Sequence, residues 1–386
     1  MQPTSHILIA GIPSANKTLY HRIRFLAGDP AAYVGMRQSD GSLRSTLMIR
    51  DIEMHRAKQT ARVDSVICPA DVAPTTGLPS DRETATAIAT AEFLVRNKID
   101  RVMSDRTLPL IFAHHIRERG ITIDYSETLG VIDRRAKDQQ ELAWLKESQS
   151  VTERAVQMAC EMIANASADD HGVLHHDGLP LTSERVRTMV DVFFLENGYA
   201  DSSSIVACGV HAGDCHDRGT GTLRTSQTII VDIFPRNTKT QYCGDCTRTV
   251  VHGDIPDEIV RMHAAVVAAK KAAIDATRAG TTGDAVYQAT IDVITQHGYE
   301  VGLPKEADSP SRCAMVHGTG HGIGLDVHEP PLIDRNGPEL VVGDVLTIEP
   351  GVYQPDFGGV RVEDMVAVTQ TGCENFNTVP EGLEWK

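Results

Sequence analysis

The chain has 386 residues, enough for two domains with separate cores, and 41% of them are hydrophobic. Acidic residues outnumber Lys and Arg by 52 to 37, so the formal net charge is −15. We therefore expect no nucleic-acid partner, because phosphates require a basic surface, and no attachment to an anionic membrane.

The lack of a recognisable targeting signal and the scattered cysteines both indicate a cytoplasmic location. No apolar run reaches transmembrane length, and residues 1–10 lack the basic region and the long apolar stretch of a signal peptide. The eight cysteines are scattered along the chain, as is typical of reduced thiols in a cytosolic enzyme. The sequence therefore predicts a cytoplasmic protein.

Strand and helix patterns alternate through the first third of the chain. The strand patterns cover residues 7–10, 45–49, 63–68, 101–103 and 121–125. The helix patterns cover 82–97 and 108–119. This alternation predicts a small α/β domain over residues 1–135.

Residues 136–386 combine long helices with hairpins. A helix is predicted up to about residue 166, followed by a loop at 171–180 and a helix that Ser183 caps and Gly198 ends. Two more helices are predicted at 257–279 and 283–297. Helix pairs mixed with hairpins predict an antiparallel-rich α+β domain.

Two acidic residues lie in the first hairpin pattern of this domain. Asp232 is in the apolar run 228–234, and Asp245 begins the β-prone run 245–251. If the chain folds back between Thr238 and Lys239, Asp232 lies directly opposite Asp245. Like charges facing each other across a ladder are destabilising, so we expect a cation between them.

A second hairpin pattern repeats the arrangement. The strand-like runs 346–353 and 359–368 flank a stretch with turn chemistry, and folding about Asp356 places Glu349 opposite Glu363. Both carboxylates have β-branched apolar neighbours in the sequence. Two such pairs in one domain indicate divalent cations held by oxygen ligands.

A glycine-rich histidine segment lies between the hairpins. Residues 317–329 contain His317, His321 and His328, and four glycines within seven residues exclude a stable helix there. One imidazole and four carboxylates give a sensible charge balance. The four carboxylates cancel the four positive charges of two divalent cations, and a bridging hydroxide remains as the nucleophile. The sequence therefore predicts a dinuclear metal site.

This arrangement resembles the pita-bread metallopeptidases, a family that contains methionine aminopeptidase, aminopeptidase P and prolidase. The resemblance covers about residue 136 to the C-terminus and rests on five motifs in register: Asp245-Cys-Thr-Arg248, Gly320-His-Gly-Ile-Gly324, Val327-His-Glu329, Ile348-Glu-Pro-Gly351 and Arg361-Val-Glu363. It implies a C-terminal pita-bread catalytic domain at 136–386. The smaller α/β domain at 1–135 resembles a creatinase-type N-terminal domain.

The resemblance also implies a role for each site residue. Asp232 binds one metal, Asp245 and Glu363 bridge both, and His321 and Glu349 complete the other. A metal-bridging hydroxide attacks the peptide carbonyl, and Glu349 carries the proton to the leaving amine. The remaining predicted residues are His216, His317 and His328 for substrate binding and, as catalytic groups, His216, His328 and Arg361. Manganese is the expected metal, with cobalt, zinc or iron as alternatives.

The two-domain arrangement resembles that of creatinase and prolidase, and this resemblance implies cleavage of Xaa-Pro bonds, with proline at the second position of the peptide. The N-terminal domain is expected to restrict substrate length, often through a homodimer. Some prolidases carry an arginine four residues after the second histidine, where this chain has Leu332. This difference favours an aminopeptidase over a strict dipeptidase, although Arg335 is close enough to leave both open.

Two other functions remain possible on the same fold. One is a metal-dependent lyase that acts on a small sulfonium substrate, and the other is a catalytically silent peptide-binding relative. All five ligands are present, which is evidence against a silent relative. Cys243 and Cys246 have the spacing of a zinc or redox pair, but without a second such pair we interpret them as incidental thiols.

Overall fold

The computed structural model describes residues 6–200, 204–305, 309 and 312–385. The chain forms two compact units, Met1–Arg134 and Arg135–Lys386. A short helix, α5 (Ile132–Arg135), spans the boundary between them. Among the described residues, no helix is both long enough and apolar enough to span a membrane.

The N-terminal unit is an α/β sandwich around one mixed sheet. Its strands are β1 (His6–Gly11), β2 (Ala31–Arg37), β3 (Leu43–Met48), β4 (Ser65–Ile67), β5 (Arg101–Ser104) and β6 (Thr122–Tyr125). Its helices are α1 (Lys17–Ile23), α2 (Met54–Thr60), α3 (Arg82–Arg96) and α4 (Leu110–Glu118). The strand order is β4-β3-β2-β1-β5-β6.

Both faces of this sheet are covered, because successive side chains of a strand point to opposite sides. Leu8 on β1 packs into a core with α3 and α4, and its neighbour Ile9 packs into the other core with α1. The sequence does not predict β2, α1 or α2. A strand that is buried on both faces has no apolar–polar alternation to reveal it, and β2 is such a strand.

The C-terminal unit contains four long helices and many short strands. The helices are α6 (Gln139–Ala164), α7 (Ser183–Asn197), α8 (Asp257–Ala276) and α9 (Gly283–Gln296). The strands up to the second helix pair are β7 (Ser167–Ala168), β8 (Leu174–His176), β9 (Leu179–Pro180), β10 (Tyr199–Ala200), β11 (Ile205–Cys208), β12 (Ile229–Ile233), β13 (Arg236–Asn237) and β14 (Cys246–Val250). The later strands are β15 (Glu300–Val301), β16 (Ala314–Met315), β17 (Gly320–Gly322), β18 (Glu329–Ile333), β19 (Val345–Ile348), β20 (Gly351–Gln354), β21 (Gly358–Arg361), β22 (Asp364–Val368) and β23 (Cys373–Asn375).

Three of the predicted local details are wrong. Thr182, not Ser183, caps α7, because the Thr182 hydroxyl accepts the Arg185 amide. The predicted loop at 171–180 contains β8 and β9, which pair with each other and with β7. Helix α8 ends at Ala276, where the Thr277 cap is already extended.

Helices cover the outer faces of the sheets in this unit. Val231 on β12 packs with α6 and α7, whereas its neighbour Ile230 faces the other side, together with Tyr353. On β19, Leu346 and Ile348 pack with residues of α8 and α9. Because residues alternate along each strand, the residues between these core positions face away from the helices. Asp232 and Thr347 are two of them.

Candidate metal centre

The first hairpin has a different register from the predicted one. Asp232 on β12 lies opposite Thr247 of β14, and the isolated bridge between Arg236 and Cys243 has the same register. The register is therefore shifted by two residues, and Asp245 is diagonal to Asp232. Because side chains alternate with a period of two, a two-residue shift leaves both carboxylates on the same face.

The second hairpin has the predicted register. Gly351 pairs with Arg361 on one side of the acidic pair, and Ile348 pairs with Asp364 on the other. Glu349 and Glu363 lie at the junction between these two ladders. Each predicted strand is divided there into two short strands that belong to different sheets.

Glycines allow the histidine segment to approach its neighbours closely. Gly320 on β17 lies so near β19 that a Cβ would come within 2.0 Å of the Thr347 carbonyl oxygen. A Cβ on Gly322 would come within 2.6 Å of the Glu329 carbonyl oxygen. His321 is between them on a strand, as expected for a segment that cannot be helical.

All the predicted site residues line one cavity of about 250 Å³. They are Asp232, Asp245, His321, Glu349, Glu363, His216, His317, His328 and Arg361. Their elements are distant in sequence, and the two hairpins and β17 bring them together. The cavity therefore combines five groups able to bind a metal with three further histidines and one arginine.

Three of these groups form a tight, buried cluster. One ligand atom each of Asp245, His321 and Glu363 lies within 4.8 Å of the others. Glu349 joins the cluster through His321, with 3.2 Å between Oε1 and Nε2. One carboxylate oxygen of Asp232 accepts from Arg361 at 2.6 Å, so Asp232 lies at the edge of the cluster.

The electrostatics of the cluster indicate an excess of negative charge. Burial, together with the neighbouring carboxylates, raises the pKa of Asp245 and of Glu363 well above the usual range. Burial also acts against ionisation of Glu349, but the hydrogen bond and charge of His321 outweigh it and lower the Glu349 pKa to about 2. Without a further cation, the cluster therefore contains one ion pair, between His321 and Glu349. Ionisation of the other two carboxyl groups, Asp245 and Glu363, is unfavourable.

Arg361 connects the acids to the cavity wall. Its guanidinium donates to Asp232, to the Tyr353 hydroxyl at 2.9 Å and to the Cys215 carbonyl at 3.1 Å. Thr247 links Arg361 to the cluster, because its hydroxyl donates to Glu363 at 2.8 Å and accepts from Arg361 at 3.3 Å. The arginine is buried, so these contacts fix its position.

The Tyr353 hydroxyl also fixes the state of His317. The Gly318 carbonyl can only accept, so His317 Nδ1 donates to it at 2.7 Å. In the neutral ring Nε2 then accepts from the Tyr353 hydroxyl at 2.7 Å, and that hydroxyl accepts in turn from Arg361. Burial lowers the His317 pKa, which agrees with a neutral ring. Both ring nitrogens are engaged, so only the faces and carbon edge of this ring are available to a ligand.

Comparison with known proteins identifies the family. The model of metallopeptidase family M24 matches residues 143–370 of this chain. The chain belongs to metallopeptidase family M24. In this family, divalent metals serve the catalytic site, and the cluster of Asp245, His321 and Glu363 is a possible place for them.

Similar proteins agree with this membership. The uncharacterized peptidase YqhT of Bacillus subtilis (strain 168) is 34% identical over 195 residues, which is 50% of this chain and 52% of that protein. The Xaa-Pro dipeptidase of Lactobacillus delbrueckii subsp. lactis is 31% identical over 195 residues, 49% of each. The chain thus spans about half the length of the curated relatives it matches.

A solved structure confirms the fold. The prolidase from Pyrococcus furiosus aligns with a TM-score of 0.76 and 20% sequence identity, covering 98% of this chain and 97% of that chain. At this identity the likeness concerns the fold alone. The predicted pita-bread fold, with a smaller α/β domain before it, is confirmed.

Residues without a predicted role also line this cavity, among them Ile205, Cys215, Phe234 and Asp334. Tyr353 is not a lining residue, but its hydroxyl contacts two of them, Arg361 and His317. Phe234 was identifiable in principle, since it is two residues after Asp232 on the same face. Tyr353 gave no comparable signal, because its two hydroxyl partners, His317 and Arg361, come from other segments of the chain.

The two thiols beside Asp245 are buried. Burial raises the pKa of Cys243 to about 11, and it raises that of Cys246 well above the usual thiol range. Buried thiols with raised pKa values are poor nucleophiles and poor metal ligands. The chemistry of the hairpin therefore belongs to the carboxylates.

Proposed function

We propose that this M24 protein is a dinuclear-metal hydrolase that cleaves Xaa-Pro peptide bonds. The observation that supports this proposal most directly is a cluster of three side chains. One ligand atom each of Asp245, His321 and Glu363 lies within 4.8 Å of the others, in a cavity that Asp232 and Glu349 also line. Crowded buried carboxylates are costly unless cations compensate them. Among the described residues of this cavity, Arg361 pairs with Asp232 and His321 with Glu349, which leaves two of the four acids without a cation in contact at hydrogen-bond distance.

The donor set fits divalent metal ions. Four carboxylates and one imidazole are hard or borderline ligands of the kind that manganese, iron, cobalt and zinc accept. The proposed ligands are Asp232 for one ion, Asp245 and Glu363 for both, and His321 and Glu349 for the other. When bound, the two cations would polarise the peptide carbonyl and activate a water for attack on it.

The chain's own residues would then position the substrate and move the proton. Glu349 is the proposed proton carrier, because its carboxylate lines the cavity and is hydrogen-bonded to His321. His216 and His328 line the same cavity and would donate to the developing oxyanion. Arg361 would orient Asp232 through the contact at 2.6 Å.

The names of relatives support the substrate class, since several are Xaa-Pro dipeptidases. We propose an aminopeptidase action on peptides longer than two residues. Leu332 lines the cavity, is 56% exposed and offers no charge to a dipeptide carboxylate. Arg335, which the sequence analysis left open, is exposed and is not among the residues that line the cavity.

Four further features belong to the proposal as predictions. The metal in the cell is manganese, the protein is a homodimer, its location is cytoplasmic, and the N-terminal domain restricts substrate length. Light scattering on the purified protein tests the dimer, and elemental analysis tests the metal.

One experiment tests the proposed function. The protein is treated with EDTA, reloaded with Mn²⁺ or Co²⁺, and assayed on Ala-Pro, on Ala-Pro-Ala-Ala and on dimethylsulfoniopropionate. We expect hydrolysis of the longer peptide after its first residue, loss of activity with EDTA and recovery with metal. Activity that persists in the metal-free protein, or turnover of the sulfonium compound alone, would overturn the proposal.

A further inference from the structure

A second cavity adjoins the metal cavity and contains a cation that the proposed mechanism does not use. This cavity encloses about 260 Å³ and shares the residues Phe234 and Val327 with the first. Arg236 lines it, together with Cys243 and Gln241. The two cavities are therefore neighbours, separated by one phenylalanine and one valine.

The first hairpin determines where Arg236 lies relative to the metal ligands. Asp232 pairs with Thr247 and Arg236 pairs with Cys243 in one register, so Asp232, Phe234 and Arg236 follow each other on the same face. Four residues of extended chain place the Arg236 Cα about 13 Å from that of Asp232. An extended peptide covers that distance with about four residues.

The charge of Arg236 is available for a ligand. Its Nε is buried and has no hydrogen-bond partner, and within the described part of the chain no carboxylate forms an ion pair with its guanidinium. Two acids act on the neighbouring Cys243, Asp326 and Glu329. Lys137 holds Glu329 at 2.8 Å, and neither acid forms an ion pair with Arg236. The guanidinium does contact the Cys243 side chain, but burial raises the pKa of that thiol to about 11, so the contact brings no negative charge to Arg236.

The cation of the first cavity is in the opposite situation. Among the described residues that line the two cavities, Arg361 and Arg236 are the two with permanently cationic side chains. Arg361 is occupied by Asp232, the Tyr353 hydroxyl and the Cys215 carbonyl. Arg236 is therefore the one of these two arginines that no carboxylate of the described residues engages, and it is the one available to an anionic part of a peptide.

We propose that the second cavity is a substrate subsite in which Arg236 binds a carboxylate of the peptide. A guanidinium can bind a carboxylate with two parallel charge-assisted hydrogen bonds. The carboxylate comes either from the C-terminus of a short peptide or from an acidic side chain. This inference rests on the proposed function, because it takes a peptide to be the ligand of the first cavity.

Matched peptides test the subsite. The probes are Ala-Pro-Ala-Ala analogues whose scissile amide is reduced to CH₂–N, so that the metal-loaded protein binds them without cleavage. One pair compares a free with an amidated C-terminus. The other pairs, all amidated, compare Glu with Gln at each position other than proline. Isothermal titration measures the Kd of each peptide for the wild type and for Arg236→Gln, Arg236→Lys and Arg261→Gln.

We expect at least one acid to bind about tenfold or more tightly than its amide in the wild type, as a charge-assisted hydrogen bond allows. The pair that differs identifies the source of the carboxylate. The preference should fall below about twofold in Arg236→Gln and persist in part in Arg236→Lys. Arg261→Gln removes an exposed arginine that is paired with Glu258, so it should keep the full preference.

Two results would overturn the subsite. One is an equal Kd for the acid and the amide peptide at every position in the wild type. This comparison does not depend on any variant being folded. The other is an acid preference that survives Arg236→Gln. The same preparations are assayed on Ala-Pro-Ala-Ala: hydrolysis without any acid preference contradicts the subsite alone, and an acid preference without metal-dependent hydrolysis contradicts the proposed function alone.

Discussion

Asp245 lies at the centre of the acidic cluster, where its carboxylate is buried beside those of Glu363 and Glu349. Its backbone amide is held by the Gln149 side chain at 2.9 Å, so the residue has little freedom to turn away. The cluster is therefore preorganised, and the charge of Asp245 is the main property that a substitution would change.

Asp245→Asn should abolish metal-dependent hydrolysis with little change of shape. We expect kcat/KM to fall by more than about 100-fold, the upper end of the loss caused by removing a group that only supports a ligand. Elemental analysis should show reduced bound metal. Asp275→Asn, an exposed residue paired with Lys271, is the matched control. Full activity of Asp245→Asn would exclude a bridging role for this residue.

Tyr353→Phe tests the hydrogen-bond chain from His317 to Arg361. The substitution removes one hydroxyl and leaves two buried groups without that partner, so we expect a loss of about 1–3 kcal/mol in the free energy of unfolding. Urea unfolding of the metal-free protein measures it. Tyr125→Phe, at a residue that is 61% exposed, should change stability by less than about 0.5 kcal/mol. Equal losses of unfolding free energy in the two variants would contradict a stabilising role of these hydrogen bonds.

At the scale of elements, helix α6 supports the hairpin that carries Asp245. A Cβ added to Gly244 would come within 2.1 Å of the Thr152 hydroxyl and 2.7 Å of the Ser148 carbonyl oxygen. The Gln149 side chain also donates to the Asp245 carbonyl at 2.6 Å. The position of Asp245 and of the strand that follows it therefore depends on close packing against this helix.

Gly244→Ala should push the strand away from α6. Overpacking of this kind costs about 1–3 kcal/mol of unfolding free energy, and the displaced Asp245 should also weaken metal binding. Urea unfolding and metal titration measure the two effects. Gly372→Ala is the control, since its Cβ would meet nothing within 4 Å. If both variants behave like the wild type, the helix does not determine the position of Asp245.

Turn geometry explains why one hairpin register follows from the sequence and the other does not. The second hairpin is centred on its turn residues, so folding about Asp356 gives the observed pairs. In the first, the Asn237 side chain accepts the amides of Lys239 and Thr240, and Gln241 has a left-handed backbone. These contacts move the centre of the turn by one residue, and no apolar pattern in that polar stretch reveals them.

The site chemistry was more predictable than the second cavity. The proposed ligands are acidic or imidazole groups in apolar strands, an unusual combination that stands out in a sequence. Arg236, by contrast, is an arginine in a polar connection, where a solvated charge is the ordinary expectation. Its buried Nε and its neighbour Phe234 become informative only when the hairpin register is known.

At the scale of the molecule, each unit has cores of its own. The sheet of Met1–Arg134 is covered on both faces, and all nine proposed site residues belong to Arg135–Lys386. The proposed metal ligands are distributed over two hairpins and one glycine-rich strand that pack on different helices. Cations shared by these segments would therefore stabilise the tertiary structure of the C-terminal unit as well as supply chemistry.

Removal of metal should therefore lower the stability of the protein. An ion that binds only the folded state at 100 times its Kd adds about 2.7 kcal/mol, or roughly 5–10 °C in Tm for a unit of this size. Differential scanning calorimetry with EDTA, and again after Mn²⁺ is restored, measures the shift. Asp245→Asn should show a much smaller shift in the same scans, whereas Asp275→Asn should show the full one. Equal Tm values of the wild type with and without metal would mean that these acids hold no structural cation.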